Sequence, residues 1–142
     1  MSEVFFTTNK IPSREELLEL YHSVEWSRYT ADPDTLVKGV ANSLRVATAW
    51  AEDGELIGLA RVVGDGHTIA YLQDVLVRPR WQRSGVGKWL VREVFAPYSQ
   101  VRQQVLLTDD EPRQRAFYES MGFVEIRDEG EGHLRAYIRH GA

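Results

Sequence analysis

Glycines and basic side chains follow an apolar run in the middle of the sequence. The run Ala70–Val77 has the composition of a buried strand, and Pro79 ends it because proline has no N–H to donate to a sheet. The segment 84–87, Ser-Gly-Val-Gly, predicts a tight turn into a helix over 88–95. Although the net charge of the chain is −4, positions 75 to 92 hold no acidic residue and these basic ones: Arg78, Arg80, Arg83, Lys88 and Arg92.

A strand, a glycine turn and the start of a helix together form a site for an anion. The first N–H groups of a helix have no partner inside it, and the helix dipole attracts negative charge there. Gly85 and Gly87 carry no Cβ that would hold a phosphate away from the backbone. A P-loop does not fit, because it needs glycine at Gln82 and Ser or Thr at Trp89. A phosphotransferase is therefore disfavoured. The dinucleotide-binding motif does not fit either, because it requires a third glycine at the position of Leu90.

Two motifs resemble those of one enzyme family. Gln82-x-x-Gly85-x-Gly87, after a strand, resembles the acyl-CoA-binding motif of the GNAT N-acetyltransferases. The segment 116–123, in which a helix carrying Phe-Tyr ends at Gly-Phe, resembles the downstream motif of that family. Glu111 stands where the family often has asparagine. The chain is identified as a small single-domain member, with one domain over residues 1–142.

The predicted elements follow the order expected of the GNAT fold, β-α-α-β-β-β-α-β-α-β-β, which is an α/β fold with a mixed sheet and helices on both faces. A capping box of Ser13 and Glu16 predicts a helix from Arg14, and Asp32-Pro33 predicts the start of a second. Further helices are predicted over 88–95 and 114–121. Strands are predicted at Val4–Thr8, Arg45–Glu52, Glu55–Val63, Ala70–Val77, Gln104–Thr108, Phe123–Arg127 and His133–Arg139, the second and third joined by a two-residue hairpin at Asp53-Gly54.

The resemblance implies acetyl transfer from acetyl-CoA to a primary amine. Because the chain has no cysteine, we expect direct attack in a ternary complex. The Val75 N–H is implied to face the thioester oxygen, and Tyr118 is implied to protonate the departing thiolate. The residues implied to bind the coenzyme are Val75, Leu76, Val77, Gln82, Arg83, Ser84, Gly85, Val86, Gly87, Lys88 and Tyr118.

The general base and the acceptor site are less defined. Gln73 stands where some members have glutamate, and an amide takes no proton. Asp74 is the nearest carboxylate, as the base or as a structural group, although neighbouring strand residues face opposite sides and one of the pair should point away from the acceptor. A water chain, Asp65 or Glu25 are the alternatives for the base.

Two aromatic residues and a cation are candidates for the acceptor pocket. Trp26 and Tyr29 could cover the amine together with Gln73, or pack as a lid or interface. Arg61 could reach the same cleft or be a solvated surface charge.

The composition of the chain bears on which metals, nucleic acids and membranes it could bind. The four histidines are scattered and cysteine is absent, so no metal is expected. One short basic cluster in an acidic chain argues against nucleic acid, and no signal pattern or apolar run of about 20 residues indicates export or a membrane span, so a cytoplasmic protein is expected. A homodimer is plausible by resemblance. The alternative function is a non-catalytic acyl-CoA sensor, because Gln73 and Glu111 depart from the family pattern.

Overall fold

A five-stranded mixed sheet forms the first of two compact units in the computed structural model, which describes residues 3–141. This unit extends to Leu107, and the second begins at Thr108. The strands are β1 Val4–Thr7, β2 Arg45–Ala51, β3 Leu56–Val63, β4 Ile69–Val77 and β5 Gln103–Leu106. They lie in chain order, with β4 and β5 parallel and the other neighbours antiparallel. This arrangement matches the expected GNAT fold class.

Helices cover both faces of the sheet. They are α1 Arg14–Ser23, α2 Ser27–Thr30, α3 Pro33–Ala41 and α4 Val86–Phe95. The predicted capping box is present, since the Ser13 side chain accepts the Glu16 N–H and Glu16 accepts the Ser13 N–H. Leu59 of β3 packs into a core with residues of α1 and α3, whereas its neighbour Gly58 faces α4. The structure confirms the two helices that were predicted to begin near Arg14 and Pro33. Helix α2 was not predicted, because four residues are too few to show a helical repeat of apolar side chains.

The hairpin between β2 and β3 has a longer loop than predicted. The Ala51 N–H donates to the Glu55 carbonyl at 2.9 Å, which leaves three residues in the loop. Gly54 takes a φ of 90°, in the left-handed region that three-residue hairpins use. A separate register shift at Ala49 and Trp50 leaves Ile57 as an extra residue in β3.

The second unit contains one helix and none of the predicted strands. Its helix, α5 Pro112–Glu119, begins two residues before the prediction because proline suits the first helical position. The strands predicted at 123–127 and 133–139 are wrong, since the described residues from 108 to 141 include no strand. Instead, Ile126–Asp128 form a 3₁₀ turn in which the Glu125 carboxylate accepts the Arg127 N–H. Residues 133–141 have no strand partner there, and an extended segment becomes a strand only when another strand binds its backbone groups.

Close approach of α4 to the sheet depends on Gly58. A Cβ at this position would lie 2.9 Å from Leu90 Cδ1 and 3.3 Å from the Leu76 carbonyl oxygen. We expect Gly58→Val to lower the free energy of unfolding by about 1–3 kcal/mol or more, because overpacking a closed core forces side chains off their rotamers. Denaturant unfolding measures this change. Gly141→Val is the control, since nothing lies within 4 Å of a Cβ at Gly141; equal midpoints for the two variants would contradict the expected clash.

Candidate active site

A β-bulge in β4 brings two polar side chains to one point. Arg61 pairs with Asp74 and Val62 pairs with Leu72, so Gln73 is an extra residue in β4. The Tyr29 hydroxyl donates to Asp74 Oδ1 at 2.8 Å and accepts from Gln73 Nε2 at 3.3 Å. The expectation that Gln73 and Asp74 face opposite sides is therefore wrong. A bulge breaks the alternation on which that expectation depended, and bulges are frequent beside active sites.

Asp74 is the centre of a buried polar cluster. Its carboxylate accepts hydrogen bonds from Arg61 Nε at 2.7 Å, the Tyr21 hydroxyl at 2.9 Å and the Tyr29 hydroxyl at 2.8 Å. Asp74 is 4% exposed and Arg61 is 6% exposed, so the interpretation of Arg61 as a solvated surface charge is wrong. Arg61 Nη1 also donates to the Gly39 carbonyl at 3.1 Å. The cluster pairs one cation with one anion and occupies the carboxylate with three donors.

The environment keeps the two phenols and the guanidinium of this cluster in one protonation state near neutral pH. Burial and then the charge of Asp74 raise the pKa of Tyr21 well above its usual value, and the same two causes raise the pKa of Tyr29. Burial alone would lower the pKa of Arg61, but its attraction to Asp74 raises that pKa above the usual value. Both phenols therefore stay protonated and the guanidinium stays charged.

Aromatic packing holds Tyr29 in place. Its ring lies edge-on to Tyr21 with a centroid distance of 5.0 Å, and Trp26 packs edge-on against Tyr21 at 5.9 Å. Trp26 and Tyr29 are partly buried against the core formed with α1 and α3. Such edge-to-face pairs add to the stability that area burial gives. Part of each ring is therefore structural, and the exposed remainder is available to a ligand.

Asp65 is engaged within its own loop. Its carboxylate accepts the N–H groups of His67, Thr68 and Ile69 and the Thr68 hydroxyl. These hydrogen bonds, that of the Thr68 hydroxyl first, hold the pKa of Asp65 well below its usual range. A carboxylate that is this acidic binds a proton weakly, so the loop geometry disfavours Asp65 as a base.

One edge of β4 is open next to the bulge. The parallel pairing with β5 ends at Leu72, and no strand in the described chain continues along that edge. The Arg78 N–H, just after β4, donates to the carbonyl of Ile57 in β3 at 2.8 Å, so the backbone of Arg78 faces β3. Because hydrogen-bonded pairs alternate along an antiparallel ladder, Leu76 is the next to face β3, and the N–H groups of Val75 and Val77 point toward the open edge.

The turn that follows β4 has the geometry of an anion site. Gly85 precedes the first residue of α4 with a φ of 89°, and a Cβ added to it would have nothing within 4 Å. Arg83 also has a positive φ, of 63°. The Trp89 N–H is the first to donate within the helix, to the Gly85 carbonyl at 3.1 Å. The N–H groups of Val86, Gly87 and Lys88 therefore precede the first helical hydrogen bond.

Gln82 and Arg78, near the turn, have structural contacts that the sequence did not predict. Gln82 Nε2 donates to the Val77 carbonyl at 2.9 Å, which ties the turn back to the open edge of β4. Arg78 donates to the Leu56 carbonyl at 2.7 Å and lies 3.7 Å from Glu55 Oε1. The charge of Arg78 is thus partly compensated within the fold. Arg80, Arg83 and Lys88 flank the turn itself, whereas Arg92 lies in the last turn of α4.

Tyr118 lies on α5 in the second unit. Its ring packs edge-on against Phe117 at 5.0 Å and against Phe123 at 6.0 Å. Burial raises the pKa of Tyr118 to about 12. The hydroxyl is therefore protonated at neutral pH and can donate a hydrogen bond there.

Comparisons with known proteins give the family. A family model for the acetyltransferase (GNAT) domain matches residues 45–125. The chain therefore belongs to the GNAT acetyltransferase family.

Its relatives include an uncharacterized N-acetyltransferase, ycf52-like, of Prochlorococcus marinus, 34% identical over 114 residues that cover 77% of this chain and 61% of the relative. Another is the ycf52 protein of Gracilaria tenuistipitata, 30% identical, with 91% and 71% coverage. The chain spans only 44% of an acetyltransferase of Gibberella zeae to which it is 32% identical over 80 residues.

Solved structures share the fold. The GNAT family protein SP0256 of Streptococcus pneumoniae superposes with a TM-score of 0.84 at 29% identity, covering 98% of both chains. An aminoglycoside N-acetyltransferase, AAC(6')-Iy, in complex with CoA gives a TM-score of 0.67 at 18% identity, with 100% and 97% coverage. The second likeness is evidence of fold alone.

The described part of the chain has neither a membrane-spanning helix nor a cluster of metal-binding side chains. No helix there combines the length and the hydropathy that a membrane crossing requires. No three side chains of the His, Asp and Glu types come together as a metal site within residues 3–141.

Tyr21 and Gly39 are the site residues that sequence reasoning missed. Tyr21 lies in the helix predicted from Arg14, and the signal that could have identified it is that a buried phenol needs a hydrogen-bond partner. Arg61 and Asp74 on adjacent strands offered one, but the pairing register was not known from the sequence.

Proposed function

We propose that this protein transfers the acetyl group of acetyl-CoA to a primary amine by direct attack in a ternary complex. The observation that carries the proposal is the open edge of β4, where Val75 and Val77 direct N–H groups away from β3 just before the turn into α4. Backbone N–H groups at such an edge bind an extended amide chain, and those at a helix start bind phosphate. Coenzyme A presents both groups in one molecule.

The proposed binding residues follow from these two features. The diphosphate contacts the N–H groups from Arg83 to Lys88, and the pantetheine lies along Val75, Leu76 and Val77. The Val75 N–H then stabilises the oxygen of the thioester as negative charge develops on it, a contact that typically changes rates by about 10²–10³. The structural neighbour AAC(6')-Iy, which shares the fold, is in complex with CoA, and this makes CoA a reasonable ligand to test.

We assign Asp74 a positioning role in place of proton abstraction. All three of its donors would lose a partner if the carboxylate turned toward a substrate. A buried carboxylate held by a guanidinium and two phenols instead fixes those groups in one geometry. The homodimer suggested by resemblance and the single domain over 1–142 remain predictions.

The test is binding and turnover on the purified chain. Calorimetry with CoA measures binding, and a thiol dye measures CoA release when acetyl-CoA is mixed with a panel of primary amines. Binding in the micromolar range with release that depends on an amine supports the proposal. Binding without release for every amine favours the acyl-CoA sensor, and no binding at millimolar CoA rejects both.

Tyr118 is, by its place in the family motif, the predicted donor to the departing sulfur. With a pKa of about 12 its proton is bound more tightly than that of a thiol near pKa ~8.5, so it stabilises the thiolate by a hydrogen bond more readily than by full proton transfer. We expect Tyr118→Phe to lower kcat by about 10–100-fold, with the KM for acetyl-CoA within about twofold. Because the pKa is raised, this group causes no loss of rate between pH 7 and 10.

The control for Tyr118 is another tyrosine of the same unit. Tyr137 is 94% exposed, so Tyr137→Phe tests the loss of a hydroxyl without loss of a buried contact. An unchanged kcat in Tyr118→Phe would remove Tyr118 from the reaction.

A further inference from the structure

The direction of each hydrogen bond in the buried cluster is fixed by its chemistry. Asp74, as a carboxylate, only accepts, and the Tyr29 hydroxyl has one proton, which it donates to Asp74 Oδ1 at 2.8 Å. The Tyr29 oxygen can then only accept. Its partners are Arg61 Nη2 and Gln73 Nε2, each at 3.3 Å. The amide of Gln73 must therefore present its NH₂ group to Tyr29.

The same constraint places the other end of the amide. With Nε2 directed at Tyr29, Gln73 Oε1 points away from the cluster, and Gln73 is exposed. Gln73 lies two residues before Val75, about 7 Å along the strand at the usual rise per residue. A hydrogen-bond acceptor of fixed orientation is thus carried two residues before the N–H that is proposed to face the thioester.

We propose that Gln73 Oε1, oriented through Tyr29, Asp74 and Arg61, accepts an N–H of the acceptor amine and selects amines that are neutral near pH 7.5. This inference rests on the proposed acetyl transfer. An amide oxygen holds the N–H without taking its proton, and the charges of Arg61 and Asp74 cancel behind it. The cluster behind the amide therefore adds no net charge that would stabilise an ammonium ion, unlike a carboxylate in the place of Gln73.

The proton balance of the reaction is consistent with a neutral acceptor. The nitrogen lone pair forms the C–N bond, the C–S bond breaks and its electron pair leaves on sulfur. The nitrogen then releases one proton to water and the thiolate takes one up. Gln73 only orients the nitrogen and neither gains nor loses a proton.

Amine basicity gives the expected size of the selection. An α-amino group has a pKa of about 7.7–8.0 and an alkyl amine such as the lysine side chain about 10.4, so their neutral fractions at pH 7.5 differ by about 200–300-fold. The stronger nucleophilicity of the alkyl amine offsets part of this difference. The probes are trialanine amide, which has only an α-amine, and Nα-acetyl-lysine amide, which has only an ε-amine. We expect kcat/KM at least about tenfold higher for trialanine amide.

The variant Gln73→Glu tests the role of the neutral amide. Tyr29 has no proton to give a second carboxylate, so Glu at this position turns toward the amine and holds its charged form. The preference for trialanine amide should fall at least about threefold relative to wild type. Tyr98→Phe, which changes a tyrosine outside the cluster, is the control and should leave the preference unchanged.

A double-mutant cycle tests whether Tyr29 acts through Gln73. Tyr29→Phe and Gln73→Ala should each lower kcat/KM for trialanine amide, and the double variant should be no worse than Gln73→Ala alone. Additive losses would overturn the orienting role. If the protein binds CoA but its kcat/KM for trialanine amide is no higher than that for Nα-acetyl-lysine amide, the selection of weakly basic amines is overturned. Turnover of neither probe by a protein that binds CoA overturns it as well. Failure to bind CoA rejects the proposed function itself.

Discussion

Gly85→Glu is expected to weaken binding of CoA by at least about 100-fold. The carboxylate would stand at the N-terminus of α4, where the proposed diphosphate meets the first helical N–H groups. Two like charges about 4 Å apart cost on the order of 1–4 kcal/mol at effective dielectric constants between those of water and a protein surface. Calorimetry with CoA at low and high salt measures the loss and shows how much of it salt screens.

Gly85→Gln is the matched control for that variant. It introduces the same side-chain size and the same strain at a φ of 89°, but no charge. We expect an intermediate affinity for Gly85→Gln and a smaller dependence on salt than for Gly85→Glu. Since no atom lies within 4 Å of the added Cβ, both variants should fold. Unchanged affinity in Gly85→Glu would place the diphosphate elsewhere.

Local signals in the sequence predicted most of the first unit. Ser13 with Glu16, Asp32 with Pro33, and the glycine turn before α4 each specify a local geometry from residues a few positions apart, and the structure contains all of them. The segment 133–139 shows where this reasoning fails. Its composition suits a strand, but strand formation requires a partner, which a local pattern does not supply.

The candidate site also has one part that local sequence signals predict and one part that depends on distant residues. The geometry of the turn before α4 could be predicted because it depends on glycines that are close in sequence. The cluster of Tyr21, Tyr29, Arg61 and Asp74 could not, because it joins residues up to 53 positions apart and depends on a one-residue bulge. Alternation along β4 predicted that Gln73 and Asp74 diverge, and the bulge makes them converge on Tyr29. When one residue is inserted in a strand, the side of the sheet predicted for every later side chain is reversed.

The largest effect on stability is expected for Asp74→Ala. This change leaves the Arg61 guanidinium buried without its anion and removes the acceptor of both phenols. Breaking a buried ion pair from one side typically costs about 3–5 kcal/mol, which corresponds to a fall in Tm on the order of 10 °C for a chain of this size. Thermal and denaturant unfolding measure the loss.

A second ion pair of this protein shows how burial, at nearly equal distance, changes the contribution of an ion pair to stability. Arg14 and Asp34 lie 2.6 Å apart, close to the 2.7 Å of Arg61 and Asp74, but their side chains are 46% and 74% exposed. Asp34→Ala should therefore cost no more than about 1 kcal/mol. The paired change Arg61→Met with Asp74→Leu should recover part of the stability lost in Asp74→Ala, because it removes both charges, while acetylation of trialanine amide stays impaired. Recovered stability together with full activity would show that the cluster serves the fold alone and does not orient Gln73.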